Sequence, residues 1–149
     1  MEPKKILFVC TGNTCRSAMA AAMMADIAEK NDMDILVDSA GIFASLGEPA
    51  AENAIQAMKK RNIDLSHHVT KPITAELIEM ADVILTMTNA HKMLIENMAP
   101  EKVFTICEYA GAEGDVPDPY GGDLEEYEET ADEIYDLLTD IAEKLWEEK

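Results

Sequence analysis

The stretch KILFVCTGNTCRSAMAAAMMADIAEK, residues 5–30, decides the architecture of this chain. Residues 6–9 are apolar without alternation, the pattern of a strand buried on both faces. Residues 10–15 then carry Gly12 and Asn13, which end a strand and favour a tight loop. Beyond Ser17 the period changes. Met19, Met23 and Ile27 recur at i, i+4 and i+8, with Ala20 and Met24 beside them, so residues 17–30 predict an amphipathic helix. A buried strand, a short loop and a helix form the opening half of a β-α-β unit, which implies a parallel sheet.

The rest of the chain repeats this alternation. Apolar runs at 34–40 (DILVDSA), 82–87 (DVILTM) and 102–106 (KVFTI) read as three further buried strands. Helices are expected at 50–61, where Ala54, Ile55 and Met58 share a face after Gly47 and Pro49, at 74–80, and at 89–98 before Pro100. The last helix has the longest stripe: Leu124, Tyr127, Ala131, Ile134, Leu138, Ile141 and Leu145. Asp123 and Glu126 give it a capping-box start. The order β-α-β-α-α-β-α-β-α predicts one α/β domain over residues 1–149, with a small four-stranded, doubly wound, flavodoxin-like parallel sheet.

Bulk properties exclude several classes. The 149 residues carry a formal net charge of −18, much of it in residues 123–149, which opposes binding to nucleic acid. No apolar run approaches the roughly 20 residues of a membrane span. The run after Lys4 and Lys5 is too short for a signal peptide, so a cytoplasmic monomer that does not bind membrane is the expectation. Three cysteines, an odd number, do not make a secreted disulfide framework. His67, His68 and His91 lack metal-ligand spacing with them, so no metal or cofactor is expected. His67 and His68 read as loop residues, Cys107 as core at a strand end, and the methionines of 19–24 as core.

In a doubly wound sheet, ligands bind beyond the carboxyl ends of the strands, where Cys10 stands. A loop entering a helix there exposes backbone N–H groups and the positive end of the helix dipole. Gly12 allows unusual φ and Asn13 tolerates the left-handed region, so residues 11–17 can curl into an anion nest. Arg16 adds a planar fork for two phosphate oxygens. The same cradle would hold a thiolate on Cys10, with the Ser17 hydroxyl donating to it. Such a thiolate is placed for attack on phosphorus. An acid must protonate the leaving group. Asp118, fixed between Pro117 and Pro119 in a Gly-flanked loop, is the candidate, with Tyr120 beside it as a pocket wall.

These residues resemble the low-molecular-weight phosphotyrosine phosphatase family. The matching segments are VCTGNTCRS at 9–17, SAG at 39–41 and DPYGG at 118–122. The resemblance implies a metal-independent protein phosphatase with a phosphocysteine intermediate on Cys10. Arg16 would bind the phosphoryl oxygens, and Asp118 would act first as general acid and then as general base. Thr11, Gly12, Asn13, Thr14, Cys15 and Ser17 would form the phosphate loop, with Ser39 supporting it from behind. Cys15 would form a reversible disulfide with Cys10 and guard it from over-oxidation. Family members commonly have proline after R-S; this chain has Ala18.

Within the family, Thr14 is similar to the protein-arginine phosphatase branch, because many tyrosine phosphatases carry an aliphatic residue there. SAGIFAS (39–45) and GDVPDPYGG (114–122) look like the same branch. Thr14, Phe43 and Tyr120 are then the expected specificity and wall residues, and the partner is a phosphorylated protein. Tyr120 departs from that branch, which more often has phenylalanine. The alternatives are a tyrosine phosphatase of the same family, an arsenate reductase, for which Cys107 alone would remain as relay thiol, and a phospho-binding or redox module without turnover.

Overall fold

A computed structural model describes residues 3–147. Four strands form one parallel sheet in the order β2-β1-β3-β4: β1 (Lys4–Cys10), β2 (Ile35–Gly41), β3 (Val83–Thr86) and β4 (Val103–Thr105). Six helices surround it: α1 (Arg16–Lys30), α2 (Glu52–Lys59), α3 (Ala75–Met80), α4 (Asn89–Ile95), α5 (Ile106–Tyr109) and α6 (Leu124–Glu147). A short 3₁₀ turn over Glu96–Met98 follows α4.

β1 shows why the sheet is wound on both faces. Its side chains alternate, and neither side meets water. Ile6 and Phe8 join the larger core with Met19, Met23 and Met24 of α1, Met58 of α2, and Ile134 and Leu138 of α6. Leu7 and Val9 join a smaller core with Ile78 of α3, Ile84 of β3 and Ile95 of α4. The methionines at 19, 23 and 24 are fully buried. Placing β1 centrally puts the loop after Cys10 above the middle of the sheet, at its carboxyl end.

The structure departs from the sequence expectations in three places. The strand at 102–106 stops at Thr105, because residues 106–109 form α5. Thr105 caps this helix with its hydroxyl, and Glu108 returns a carboxylate to the Thr105 N–H. Cys107 therefore sits in a helix and not at a strand end, although it is buried in the core. The 89–98 helix changes to 3₁₀ after Ile95. At the start of α6, Asp123 accepts from the Glu126 N–H at 3.0 Å, as its cap position predicts.

Candidate active site

The loop between β1 and α1 closes over its own backbone. Asn13, not Gly12, takes the left-handed conformation, with φ 60. Gly12, which could have taken a positive φ, does not; Asn13 is the residue whose tolerance of that region the sequence marks. Asn13 is fully buried and its side chain ties three segments together. Its amide donates to Ser17 Oγ and Ser39 Oγ at 2.9 Å each, and its Oδ1 accepts from the Lys71 N–H at 3.1 Å. Ser17 Oγ in turn lies 2.9 Å from Cys10 Sγ. Ser39, at the end of β2, thus holds Asn13, and Asn13 holds the hydroxyl beside the thiol.

Gly41 shows why the loop can lie so close to β2. A Cβ there would stand 2.7 Å from the Thr11 carbonyl oxygen and 2.9 Å from the Asn13 nitrogen. With no side chain in the way, the chain after β2 pairs with the loop. Ile42 and Phe43 donate their N–H groups to the carbonyls of Cys10 and Thr11 at 3.0 and 2.9 Å. This pairing carries Phe43 to the rim. No side chain caps α1, whose N-cap residue is Cys15, so its leading N–H groups remain available to an anion.

Arg16 is 4% exposed, so its charge is held inside the protein. One terminal nitrogen donates to the Val116 carbonyl at 3.0 Å; the other lies 3.5 Å from Thr11 Oγ1 and 3.4 Å from an Asp118 carboxylate oxygen. Its Nε is buried with no protein partner. A buried unsatisfied donor is rare, and here it belongs to the one guanidinium at the cavity floor. The other Asp118 oxygen accepts from the Tyr120 N–H at 3.0 Å, which orients the carboxylate.

Cys10, Arg16 and Asp118 line a single cavity of about 340 Å³. Thr11, Gly12, Thr14 and Cys15 share it, and Phe43 and Tyr120 stand exposed at its mouth. Asn13, Ser17 and Ser39 lie behind the loop. Cys15 Sγ is 3.4 Å from the Tyr127 hydroxyl and 3.5 Å from Thr14 Oγ1. Burial, ahead of other influences, pushes the Cys15 thiol up from its ordinary pKa, and burial does the same to the Tyr127 hydroxyl. Among the described residues, no three His, Cys, Asp or Glu side chains gather as metal ligands. No helix there is long and apolar enough to cross a membrane.

Several contributors were not predicted. His68, expected as an ordinary loop residue, places its Nε2 2.7 Å from the Asn13 carbonyl. His67 is exposed, as expected. His91, on α4, contacts Thr11, while Val116 and Tyr127 reach Arg16 and Cys15. Ser45, Glu48 and Thr70 complete the cavity wall.

Comparison with known proteins matches residues 5–149 to the low molecular weight phosphotyrosine protein phosphatase family. A protein-arginine-phosphatase of Bacillus subtilis (strain 168) is 46% identical over 144 residues, covering 94% of this chain and 95% of that protein. A low molecular weight protein-tyrosine-phosphatase of Staphylococcus epidermidis, PtpB, is 38% identical over 145 residues, covering 92% and 96%. Among solved structures, a Cys-to-Ser mutant of the YwlE arginine phosphatase with a phosphorylated active-site serine superposes with a TM-score of 0.91. It is 45% identical and covers 95% of each chain.

Proposed function

Because the chain belongs to the low molecular weight phosphotyrosine protein phosphatase family, whose chemistry rests on a cysteine, we propose that it hydrolyses phosphoarginine in proteins. The observation that carries the substrate class is Thr14. Its side chain lines the cavity that also holds Cys10 and Asp118. A hydroxyl there can accept an N–H from a guanidinium attached to phosphorus, whereas an aliphatic side chain would favour an aromatic ring. The similarity to a protein-arginine-phosphatase supports the same reading.

In this reading the phosphoryl group enters the nest of residues 11–17, and Arg16 takes two of its oxygens in the bidentate manner of a guanidinium. The unpartnered Nε supplies a donor without breaking an existing bond. The Cys10 thiolate, held by the Ser17 hydroxyl, attacks phosphorus. The S–P bond forms as the P–N bond breaks, and Asp118 gives its proton to the departing guanidine nitrogen. Water then attacks the phosphocysteine, Asp118 takes the water's proton, and the S–P bond breaks to release inorganic phosphate. The donors already converge before substrate arrives, so little reorganisation opposes the transition state.

Cys15 is the proposed guard. Peroxide would convert the Cys10 thiolate to a sulfenic acid. The Cys15 thiol would condense with it, forming the disulfide and releasing water. A cytoplasmic location and a monomeric state belong to the same proposal; the three free cysteines, Cys10, Cys15 and Cys107, fit the reducing compartment.

The test is kcat/KM on matched phosphoarginine and phosphotyrosine peptides, for the wild type and Thr14→Ile. The wild type is expected to favour phosphoarginine and the variant to move toward phosphotyrosine. Higher wild-type efficiency on phosphotyrosine refutes the substrate class, and an unchanged ratio in Thr14→Ile removes Thr14 as its determinant.

A further inference from the structure

His91 is a buried titratable side chain that the reaction above does not use. It sits in the first turn of α4, its N–H capped by the Thr88 hydroxyl at 3.2 Å. It is 7% exposed. Its Nε2 lies 2.8 Å from Thr11 Oγ1, across 80 residues of sequence, while its Nδ1 is buried without a protein partner. Thr11 Oγ1 also faces the Arg16 guanidinium at 3.5 Å. The neighbourhood is knit at two more points. Asp115 accepts from the Asn89 N–H at 2.8 Å, and Val116 donates its N–H to the Met87 carbonyl at 2.9 Å. The carbonyl of Val116 then anchors Arg16. The phosphate loop, the start of α4 and the segment carrying Asp118 are therefore tied together beside this imidazole.

The proton count leaves two arrangements at this ring. A guanidinium only donates, so Thr11 Oγ1 must turn a lone pair toward Arg16. Its second lone pair could accept from a protonated Nε2, which would leave the hydroxyl proton facing the cavity; an unprotonated His91 Nε2, 2.8 Å away, takes that proton instead. That assignment leaves Nε2 unprotonated and puts the ring proton on Nδ1. We propose that His91 is a positioning residue of the phosphatase site, accepting the Thr11 proton through Nε2 so that Thr11 holds Arg16 in its phosphate-binding orientation.

The surroundings favour the neutral ring this requires. Burial first, then the Arg16 charge, lowers the His91 pKa from its ordinary value, while Asp115 and Asp118 act in the opposite direction. A protonated ring would donate to Thr11, reverse the hydroxyl and set a second cation beside Arg16. The proposal rests on the phosphatase reading but not on the choice between arginine and tyrosine substrates.

Two measurements test it. The first uses the wild-type protein and no variant: long-range ¹H–¹⁵N NMR of the histidine rings at neutral pH. An unprotonated Nε2 and a protonated Nδ1 on His91 are expected; a proton on Nε2 overturns the proposal. The second measures kcat, KM and inhibition by inorganic phosphate for His91→Leu, His91→Gln, Thr11→Val and the double variant His91→Leu/Thr11→Val, with thermal melting beside each. His91→Leu and Thr11→Val are each expected to lower kcat/KM by about tenfold, the scale of one hydrogen bond, and to weaken phosphate inhibition. The double variant should lose no more than the worse single one. His91→Gln, whose amide oxygen reaches toward the Nε2 position, should recover most of the loss.

Losses that multiply in the double variant refute the coupling through Thr11. So does a His91→Leu enzyme that keeps wild-type kcat/KM and phosphate affinity. Failure of the wild type to turn over any phosphate ester or phosphoramidate, against a Cys10→Ser control, would instead defeat the phosphatase reading and leave the NMR result standing on its own.

Discussion

Asn13→Ala tests whether one buried amide organises the phosphate loop. Asn13 is fully buried and makes three side-chain hydrogen bonds, to Ser17 Oγ, to Ser39 Oγ and from the Lys71 N–H. Alanine removes all three. Each loss is worth about 1 kcal/mol, more where the partner stays buried and unsatisfied, which gives about 3 kcal/mol in total. The φ of 60 adds to this, since alanine is less at ease in the left-handed region than asparagine, by about 1 kcal/mol. The sum of about 4 kcal/mol is a large part of a typical domain stability of about 5–15 kcal/mol. It corresponds to a fall in Tm of about 10 °C for a chain of this size.

Urea unfolding of wild type, Asn13→Ala and Asn13→Asp measures this directly. Asn13→Asp keeps the acceptor for Lys71, and the two serine hydroxyls can rotate to donate to it. It should regain part of the stability. It also sets a negative charge behind the Cys10 thiolate, so its kcat/KM should stay low. A loss below about 1 kcal/mol in Asn13→Ala, with turnover intact, would refute the role given to this side chain.

Asp118→Asn should lower kcat by about 10²–10⁴-fold on substrates with poor leaving groups. The deficit should shrink on an activated aryl phosphate, and an equal deficit on both would contradict the general-acid role. Gly41→Ala would press a Cβ to within 2.7 Å of the Thr11 carbonyl and of Ala44 Cβ. It should destabilise by about 1–3 kcal/mol and weaken phosphate inhibition; wild-type affinity would show that the close approach is unimportant. Glu108 is held below the usual carboxylate range by its hydrogen bond to Lys92, at 2.7 Å, and by the Thr105 N–H. Its contribution is present at neutral pH and is lost as pH falls through that lowered value. Glu108→Gln should therefore be less stable than wild type at neutral pH, with the gap closing in acid. A gap independent of pH would mean that the charge is not its source.

The phosphate loop was readable because its chemistry is local. Cys10 and Arg16 lie in one strand–loop–helix segment, and the conformation of that segment follows from its own Asn13 and the helix period after it. The left-handed residue is Asn13, the one whose side-chain chemistry tolerates that region. The helix at 106–109 was missed because a four-residue helix has no periodicity to detect. Its signal is the Thr105–Glu108 capping box, which the run KVFTI conceals by ending in strand-forming residues. His68 was passed over for a different reason. Nothing around it in the sequence indicates that its ring reaches the Asn13 carbonyl, 55 residues away.

Sequence alone determined the alternation of strands and helices, the parallel sheet and the position of Cys10 and its loop at a strand end. Those properties depend on spacing along the chain and on local residue chemistry. Tertiary structure decided what holds the reactive groups still. The sheet order β2-β1-β3-β4 puts β1 between β2 and β3, so Ser39 and Gly41 arrive from one side and His91 from the other. Arg16 receives its anchor from Val116, 100 residues on, and Cys15 its neighbour from Tyr127, 112 residues on. Contacts over such separations leave no local pattern, because they arise only when packing on the two faces of the sheet brings distant loops to its carboxyl end.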